Sequence, residues 1–524
     1  MPASGVGAPD DRGSRAAPTT HREVERKFRV GAGFELPQLA GVVTGVAQMH
    51  VREPVTMLAH YHDTADLRLI RWGATLRRRV GGPDEGWHLK LPVDGAGAGV
   101  RDEIALPLDE GETGHVPDGL ADIVVALARE APLVHVSTVR THRTPYVLLD
   151  ESGRSVAELV DDRVAVLEDG AVVRAFREIE IEARSDGPGA AVLDAVGARL
   201  AAHDAEPGTE GKAAAALGPR AQGLPDVVVP PWPRPRDPAG DTVRCVLAEN
   251  ARKLLLEDVR VRRGLPDSVH QLRVAARRLR SALRTFAPLL ETEWATELSE
   301  ELSASADALG VARDTEVHLA RLEKHAEALP VQEREPAVRA IEGWLRGRLA
   351  DATAAALAEL RGERHRQLLV DIVAAAREPR LTATADAPAR DVLPRLVTRA
   401  AGRLTRAVER LSVDGPAAQW HRARILAKRA RYAAEAVAPV LGARSGDWAE
   451  ALERVTDLLG DHQDACTAQV MLRELAARPD VDGTTGFALG ILDGVELERE
   501  RADRAAFMAL WPEVRAVLRK RLVR

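Results

Sequence analysis

Glu23, Glu25 and Lys27 stand two residues apart, and on an extended strand that spacing puts all three on one face. Two neighbouring carboxylates followed by an ammonium suit a divalent cation beside a phosphoryl group better than they suit a face that merely meets water. The pattern recurs along the first 200 residues. Arg77 and Arg79, His88 and Lys90, Arg101 and Glu103, Arg140 and Arg143, and Glu158 and Asp162 follow in turn, and Glu178, Glu180 and Glu182 alternate with Ile179 and Ile181. One such strand is ordinary for a half-solvated antiparallel sheet. Their succession calls for acids and bases facing each other, in a closed antiparallel barrel turned inside out. Charged side chains would fill its lumen, and apolar faces would pack outward against helices such as residues 190–203. Carboxylates there would hold a metal, and Arg and Lys would hold phosphoryl oxygens. His60 and His62, also two apart, read as structural.

A second constellation is helical. At about 100° per residue, His270, Arg273, Arg277, Arg280 and Arg284 share an arc of about 80°, opposite Leu272, Ala275, Ala276, Leu279 and Leu283. No acid interrupts this stripe, so its like charges repel and call for an anion. His421, Arg424, Lys428, Arg429 and Arg431 repeat the offsets of His270, Arg273, Arg277, Arg278 and Arg280. Leu309-Gly310 with Arg313-Asp314, and Leu459-Gly460 with His462 and Asp464, follow the two helices as a second pair of landmarks. This is an internal duplication, and it predicts two helical halves, each presenting a basic stripe.

The elements needed to position these residues fit the chain's length. Its 524 residues allow more than one domain. Scarce aromatics and abundant Ala favour Ala-packed helices. Only seven of 73 basic residues are Lys, and the planar fork of Arg suits repeated phosphate contacts. A net charge of -6 argues against an indiscriminate nucleic-acid binder, and the basic helices lack interleaved aromatics for base stacking. Cys245 and Cys466 supply neither a disulfide framework nor a metal clip. No membrane partner is expected, since no run of about 18 apolar residues occurs, and the expected address is cytoplasmic.

Residues 1–20 read as disordered, 21–218 as the strand-rich domain, 219–240 as a semi-rigid Pro-rich linker, and 241–524 as an all-helical domain. Ser268 and Gln271 have capping-box spacing at the start of the first basic helix.

The ordered set Glu23-x-Glu25-x-Lys27, Tyr61-x-Asp63-Thr64, Leu76-Arg77-x-Arg79, Trp87-x-x-Lys90, Arg101-x-Glu103, Glu158-x-x-x-Asp162 and Glu178-x-Glu180-x-Glu182 resembles the CYTH, or triphosphate tunnel metalloenzyme, superfamily. The paired basic helices, with Arg313-Asp314 and Leu459-Gly460-Asp461-His462-x-Asp464, resemble the CHAD domain. Together the resemblances imply an α+β multidomain protein, an eight-stranded antiparallel β-tunnel followed by two four-helix bundles related by pseudo-twofold symmetry.

They further imply Mg²⁺ or Mn²⁺ held by Glu23, Glu25, Glu178, Glu180 and Glu182. Glu23, Glu25 and Lys27 would be the catalytic group, and Lys27, Arg77, Arg79, Lys90, Arg101, Arg140, Arg143 and Lys212 would grip a triphosphate, with Arg52 and Glu103 as further candidates. Lys212 would plug the tunnel, although Gly211 stands where the family commonly has Ser and Ala215 where it commonly has Arg. In the helical domain His270, Arg273, Arg277, Arg278, Arg280, Arg284, His421, Arg424, Lys428, Arg429 and Arg431 would bind inorganic polyphosphate, with an association with polyphosphate granules in the cell. The expected activity is metal-dependent hydrolysis of inorganic triphosphate or polyphosphate ends. The alternatives are a non-catalytic polyphosphate-binding protein, a thiamine triphosphatase or an adenylate cyclase.

Overall fold

The computed structural model describes residues 18–93, 95–97, 99–112, 114–184 and 189–522. The expectation of disorder over residues 1–20 falls mostly outside these, but Thr19 and Thr20 already belong to the first strand. The chain divides into two compact units between Asp226 and Val227.

The first unit is built on ten antiparallel strands: β1 (Thr19–Val30), β2 (Gln48–Val51), β3 (Val55–Asp63), β4 (Thr75–Val80), β5 (Gly86–Pro92), β6 (Val100–Leu106), β7 (Val134–Leu149), β8 (Ser155–Glu168), β9 (Ala171–Ala183) and β10 (Glu206–Gly208). Eight of them close a barrel in the order β1-β6-β5-β4-β3-β7-β8-β9 and back to β1. The first half of β1 pairs with β6 and the second half with β9, while β2 and β10 add to the outside of this ring through β7 and β1. Closure leaves no free edge among the eight.

Period two then decides which side chains face inward. Glu23, Glu25 and Lys27 point in, and Phe28 and Val30 point out with Leu159, Ile179 and Ile181. The outward set is covered by Val192, Leu193, Val196 and Leu200 of the helix Gly189–Ala201. Each of these large side chains contributes about 1.5–3 kcal/mol by leaving water, so the apolar layer that stabilises the barrel lies outside it. That leaves the lumen free to hold charge.

The second unit contains ten α-helices among the described residues, and the duplication is visible in their lengths. Ala239–Arg262, Ser268–Thr285 and Val331–Arg361 correspond to Ala389–Val408, Ala417–Leu441 and Gly483–Leu518. The continuous Ala443–Ala476 corresponds to Thr292–Ala308 plus Gly310–Ala326, which break at Leu309. Glu363–Arg377 is left over and packs beside the first helix, where its His365 meets the buried Asp258 at 2.7 Å. The pseudo-twofold relation is explicit in one reciprocal pair of backbone bonds. The Ala239 N–H donates to the Ala387 carbonyl and the Ala389 N–H to that of Asp237, both at 2.9 Å.

Residues around the Pro-rich stretch are each held by their own unit. Asp226 accepts from the Trp72 indole in the first unit, whereas Val227 and Pro235 accept from Arg252 and Arg390 in the second. The cap of Ser268–Thr285 is displaced by one residue, since Gln271 donates to the Asp267 carboxylate at 2.8 Å while the Ser268 hydroxyl donates backward to Leu265.

Candidate functional site: a charged tunnel and a basic helical groove

The lumen of the barrel is a cavity of about 440 Å³ lined by Glu23, Glu25, Lys27, Arg77, Arg79, Lys90, Arg101, Glu103, Arg143, Glu180, Glu182 and Lys212, among others. Strand register sets opposite charges against each other. Lys27 lies across from Glu180, Lys90 from Glu103 and Arg143 from Asp162. Lys27 is 2.8 Å from Glu180 and 3.1 Å from Glu25. Arg143 reaches Asp162 through two N–H groups, at 2.9 and 2.7 Å, the bidentate geometry that guanidinium favours. Elsewhere in the lumen, Lys90 holds Glu23, and Glu103 accepts from His88 at 3.0 Å.

One cluster stands apart. Asp162, Glu178 and Glu180 bring carboxylate oxygens within 4.8 Å of one another, an all-oxygen donor set of the kind hard divalent cations take. The Lys212 ammonium sits among them, at 2.8, 2.7 and 2.7 Å. It is delivered there because β10 docks on Lys27–Arg29 of β1, and the short helix Lys212–Leu217 starts four residues later.

Burial alone would depress the Lys212 ammonium, but the three carboxylates outweigh it and hold its pKa well above the usual value. Burial likewise works against the Glu180 carboxylate, and Lys212, Lys27 and Arg143 overcome it and hold that group well below the usual range. Glu178 goes the other way, raised by burial and by the neighbouring Glu180 despite Lys212. Glu182, at the rim, is pushed up to about 7 by loss of hydration and by Glu23.

In the second unit the two basic helices Ser268–Thr285 and Ala417–Leu441 lie against each other, joined by Arg278 to Glu435 at 2.9 Å and by Arg278 over the Tyr432 ring at 5.2 Å. Arg431 also holds Glu435, at 2.6 Å, and Arg273 holds Asp314 at 2.9 Å. Arg277, Arg280, Arg284, Arg424, Lys428 and Arg429 have no ion pair among the described residues. Burial and the nearby Arg424 and Arg277 push the Lys428 ammonium down to about 7.

Residues 21–196 match the CYTH domain and residues 245–473 the CHAD domain. An uncharacterized protein of Mycobacterium tuberculosis, Rv2226, is 32% identical over 533 residues, covering 96% of this chain and 97% of its own. This chain belongs to the CYTH–CHAD proteins. Among solved structures, PptA from Streptomyces chartreusis is similar at 28% identity over 52% of this chain and 99% of its own, with a TM-score of 0.46. The CHAD domain of the plant Ricinus communis is similar at 25% identity over 54% of this chain and 94% of its own, again with a TM-score of 0.46.

The CYTH tunnel gathers most of the residues singled out from the sequence, with two displacements. Arg140 has opposite parity to Arg143 on β7 and lies on the outer face with Thr56, His142 and Arg163. Arg52 lies exposed beyond β2, outside the cavity. Arg140→Ala should therefore leave phosphate release and tripolyphosphate affinity within about twofold of wild type. A loss of tenfold or more in either assay would place Arg140 on the path of the substrate. The tunnel also contains groups to which the sequence assigned no role. Asp162 is fully buried between Arg143 and Lys212, and Arg29 continues the inward face of β1 to within 3.4 Å of Glu178. Parity with Lys27 and the Glu158–Asp162 spacing were the available signals. In the CHAD domain, Arg278, Arg431 and Arg273 act as struts between helices, and His421 pairs with Gln463 at 2.7 Å. Among the described residues no helix is long and apolar enough to cross a membrane.

Proposed function

We propose that the CYTH tunnel hydrolyses a terminal phosphoanhydride of inorganic triphosphate or of a polyphosphate end, and that the CHAD groove holds the polymer. The observation that carries this reading is the lumen itself, where four cations face buried carboxylates inside a closed barrel, Lys27 and Arg143 at Glu180 and Asp162, and Arg77 and Lys90 at Glu103 and Glu23. A pocket for a neutral substrate has no use for four inward cations, and a structural core would not bury this much charge at its usual desolvation cost.

Asp162, Glu178 and Glu180 fit Mg²⁺ or Mn²⁺ by donor chemistry, with Glu23, Glu25 and Glu182 as further oxygen donors around the same lumen. When bound, such a cation would neutralise phosphoryl charge and polarise the phosphoryl oxygens. The protein's own part is electrostatic. Arg77 is held firmly protonated by Tyr61 and Glu103, and Arg143 by Asp162, against the effect of burial, so they present fixed charge to the phosphoryl oxygens. Lys90 lies on β5 beside the Arg77 strand β4, and Lys27 enters the same lumen from β1. Hydrolysis adds water across the P–O–P bond and yields orthophosphate, a chain shorter by one phosphate, and a proton. Preorganised donors of this kind are typically worth about 10²–10³ each in rate, and holding the chain in the CHAD groove raises its effective concentration at the tunnel.

One observation favours a second reading, a non-catalytic polyphosphate reader. Lys212 already occupies the carboxylate cluster. Orthophosphate release by the full chain from tripolyphosphate and from long-chain polyphosphate, with Mg²⁺ or Mn²⁺ and with EDTA, separates the two. Cation-dependent release supports hydrolysis. Tight polyphosphate binding without release from either substrate overturns hydrolysis and leaves the reader.

A further inference from the structure

The helix Ala389–Val408 carries a third basic stripe. Arg395, Arg399, Arg403 and Arg406, with Arg410 just past its end, fall within an arc of about 80° at 100° per residue. All five are exposed, and none has an ion pair or a side-chain hydrogen bond among the described residues. Leu393, Val397, Ala401, Leu404 and Val408 on the opposite side are buried, so the orientation of the stripe is fixed by packing.

The duplication supplies an internal control. The matching helix Ala239–Arg262 is also rich in cations, yet there they are neutralised. Arg244 pairs with Asp241 at 2.7 Å, Lys253 with Glu249 at 2.9 Å, Arg260 with Glu257 at 3.1 Å and Arg262 with Asp258 at 2.6 Å. At the offset of 150 residues set by the reciprocal Ala239 and Ala389 bonds, Lys253 corresponds to Arg403 and Glu249 to Arg399. A favourable i, i+4 pair in one half is thus a repulsive Arg–Arg pair in the other. Solvation alone gives no reason for that change, because like charges at this spacing destabilise an exposed helix.

The stripe is also continuous with the groove. Burial and repulsion from Arg284, Arg403 and Arg280 together hold the Arg429 guanidinium below its usual value, so Arg403 lies close enough to the groove's end to join its field. From Arg395 through Arg399 to Arg403 the rise is about 6 Å per step, a ladder of point charges with no pocket and no aromatic between the rungs. A base-reading surface would need stacking groups, whereas a linear polymer of identical anions needs only repeated cations.

We infer that the Arg395–Arg410 stripe is an outer track for polyphosphate, taking the part of a long chain that emerges from the groove past Arg280, Arg284 and Arg429. This rests on the polyphosphate reading of the CHAD domain and adds a length-selecting element to it. Short chains fill the groove alone, and long chains gain the stripe.

The test compares tripolyphosphate with long-chain polyphosphate on the full chain, by titration at several salt concentrations. In a variant carrying R395Q, R399Q and R403Q, the ratio of long-chain to tripolyphosphate affinity should fall about tenfold, and the salt slope for the long chain should fall by about two. A control with R364Q, R478Q and R501Q loses three exposed arginines that are paired with Glu301, Asp480 and Glu498. It should keep the wild-type ratio. R399E on its own restores the pairing seen in the first half, so it should stabilise the helix while lowering the ratio.

An unchanged ratio in the triple variant, or an equal fall in the control, overturns the outer track while leaving the groove intact. Failure of the wild-type chain to bind any polyphosphate overturns both readings. Tighter binding of duplex DNA or of phosphatidylserine vesicles, lost in the triple variant, would reassign the stripe to that partner.

Discussion

Replacing Lys212 with Met should lower the thermal midpoint in EDTA by about 8 °C and make the protein's stability depend on divalent cation. The side chain is almost fully buried and is the shared partner of Asp162, Glu178 and Glu180. Removing one partner from a buried ionic cluster costs about 3 kcal/mol or more, because the remaining charges stay out of water. Arg143 and Lys27 still hold Asp162 and Glu180, which places the expected loss toward that lower figure, and about 3 kcal/mol corresponds to several degrees for a domain of this size.

A divalent cation entering the wild-type cluster must first displace an ammonium, whereas in Lys212→Met it meets three open carboxylates. Since a ligand stabilises the folded state by an amount that grows with its affinity, Mg²⁺ or Mn²⁺ should raise the midpoint of the variant more than that of wild type. Equal cation-induced shifts in the two proteins would show that Lys212 and the cation do not compete.

The pH dependence has a definite sign. In wild type the depressed Asp162 and Glu180 carboxylates contribute stability that is present above their unfolded pKa and lost as pH falls through their folded values. In the variant Glu178, already raised by burial, loses the ammonium that lowers it, rises further and recovers stability as it protonates. The gap between the two proteins should therefore narrow from pH 8 to pH 5. A gap that widens on acidification would mean that the cluster is held together by something other than Lys212.

What the sequence could reveal follows from which relations are local. Strand parity is local, so Glu23, Glu25 and Lys27 on β1 and the three glutamates on β9 could be placed on inward faces without knowing the fold. Parity also condemns Arg140, because residues 140 and 143 on one unbroken stretch of strand cannot both face the lumen. The capping of Ser268–Thr285 failed by one residue for a related reason, since Asp267 and Ser268 are both good caps and only the turn before them decides between them. Asp162 was visible as part of a spacing, but its role comes from Arg143 and Lys212, partners 19 and 50 positions away.

The helical halves repeat that lesson. The 100° count singles out the stripes at 270–284 and 421–431, and the same count applied to the helix Ala389–Val408 finds a third. It does not find the acids that neutralise a stripe when they come from other helices, as Glu435 does for Arg278 and Asp314 for Arg273. Whether a basic face is a strut or a binding surface is therefore a tertiary property, and in this protein it divides a single motif. Arg278 and Arg431 are consumed by packing, and Arg277, Arg424 and Lys428 are left to meet an anion.

Polyphosphate binding to the CHAD groove should be coupled to proton uptake, with affinity falling about fiftyfold between pH 7 and pH 9. The group responsible is Lys428. Its ammonium is faced by Arg424 and Arg431 from its own helix, by Arg277 from Ser268–Thr285, and by Asp464 from Ala443–Ala476. Burial and the three cations outweigh Asp464 and bring it down to about 7. A polyanion reverses that balance, since a phosphate beside Lys428 favours the charged form and lifts its pKa. Below pH 7 the lysine is already protonated and binding takes up no proton there. Above pH 7 the free protein must gain one on binding, and each pH unit costs up to tenfold in affinity until the pKa of the complex is passed. Long-chain polyphosphate is the suitable probe, because each of its internal phosphates carries one fixed charge across this range. Lys428→Arg keeps the charge and removes the titration, so its affinity should stay flat between pH 7 and pH 9. Titration calorimetry of wild type at pH 8 in buffers of different ionisation heat should show about one proton taken up per chain bound. A wild-type affinity that is itself flat over this range would mean that Lys428 is already fully charged in the free groove, or that the chain passes without approaching it.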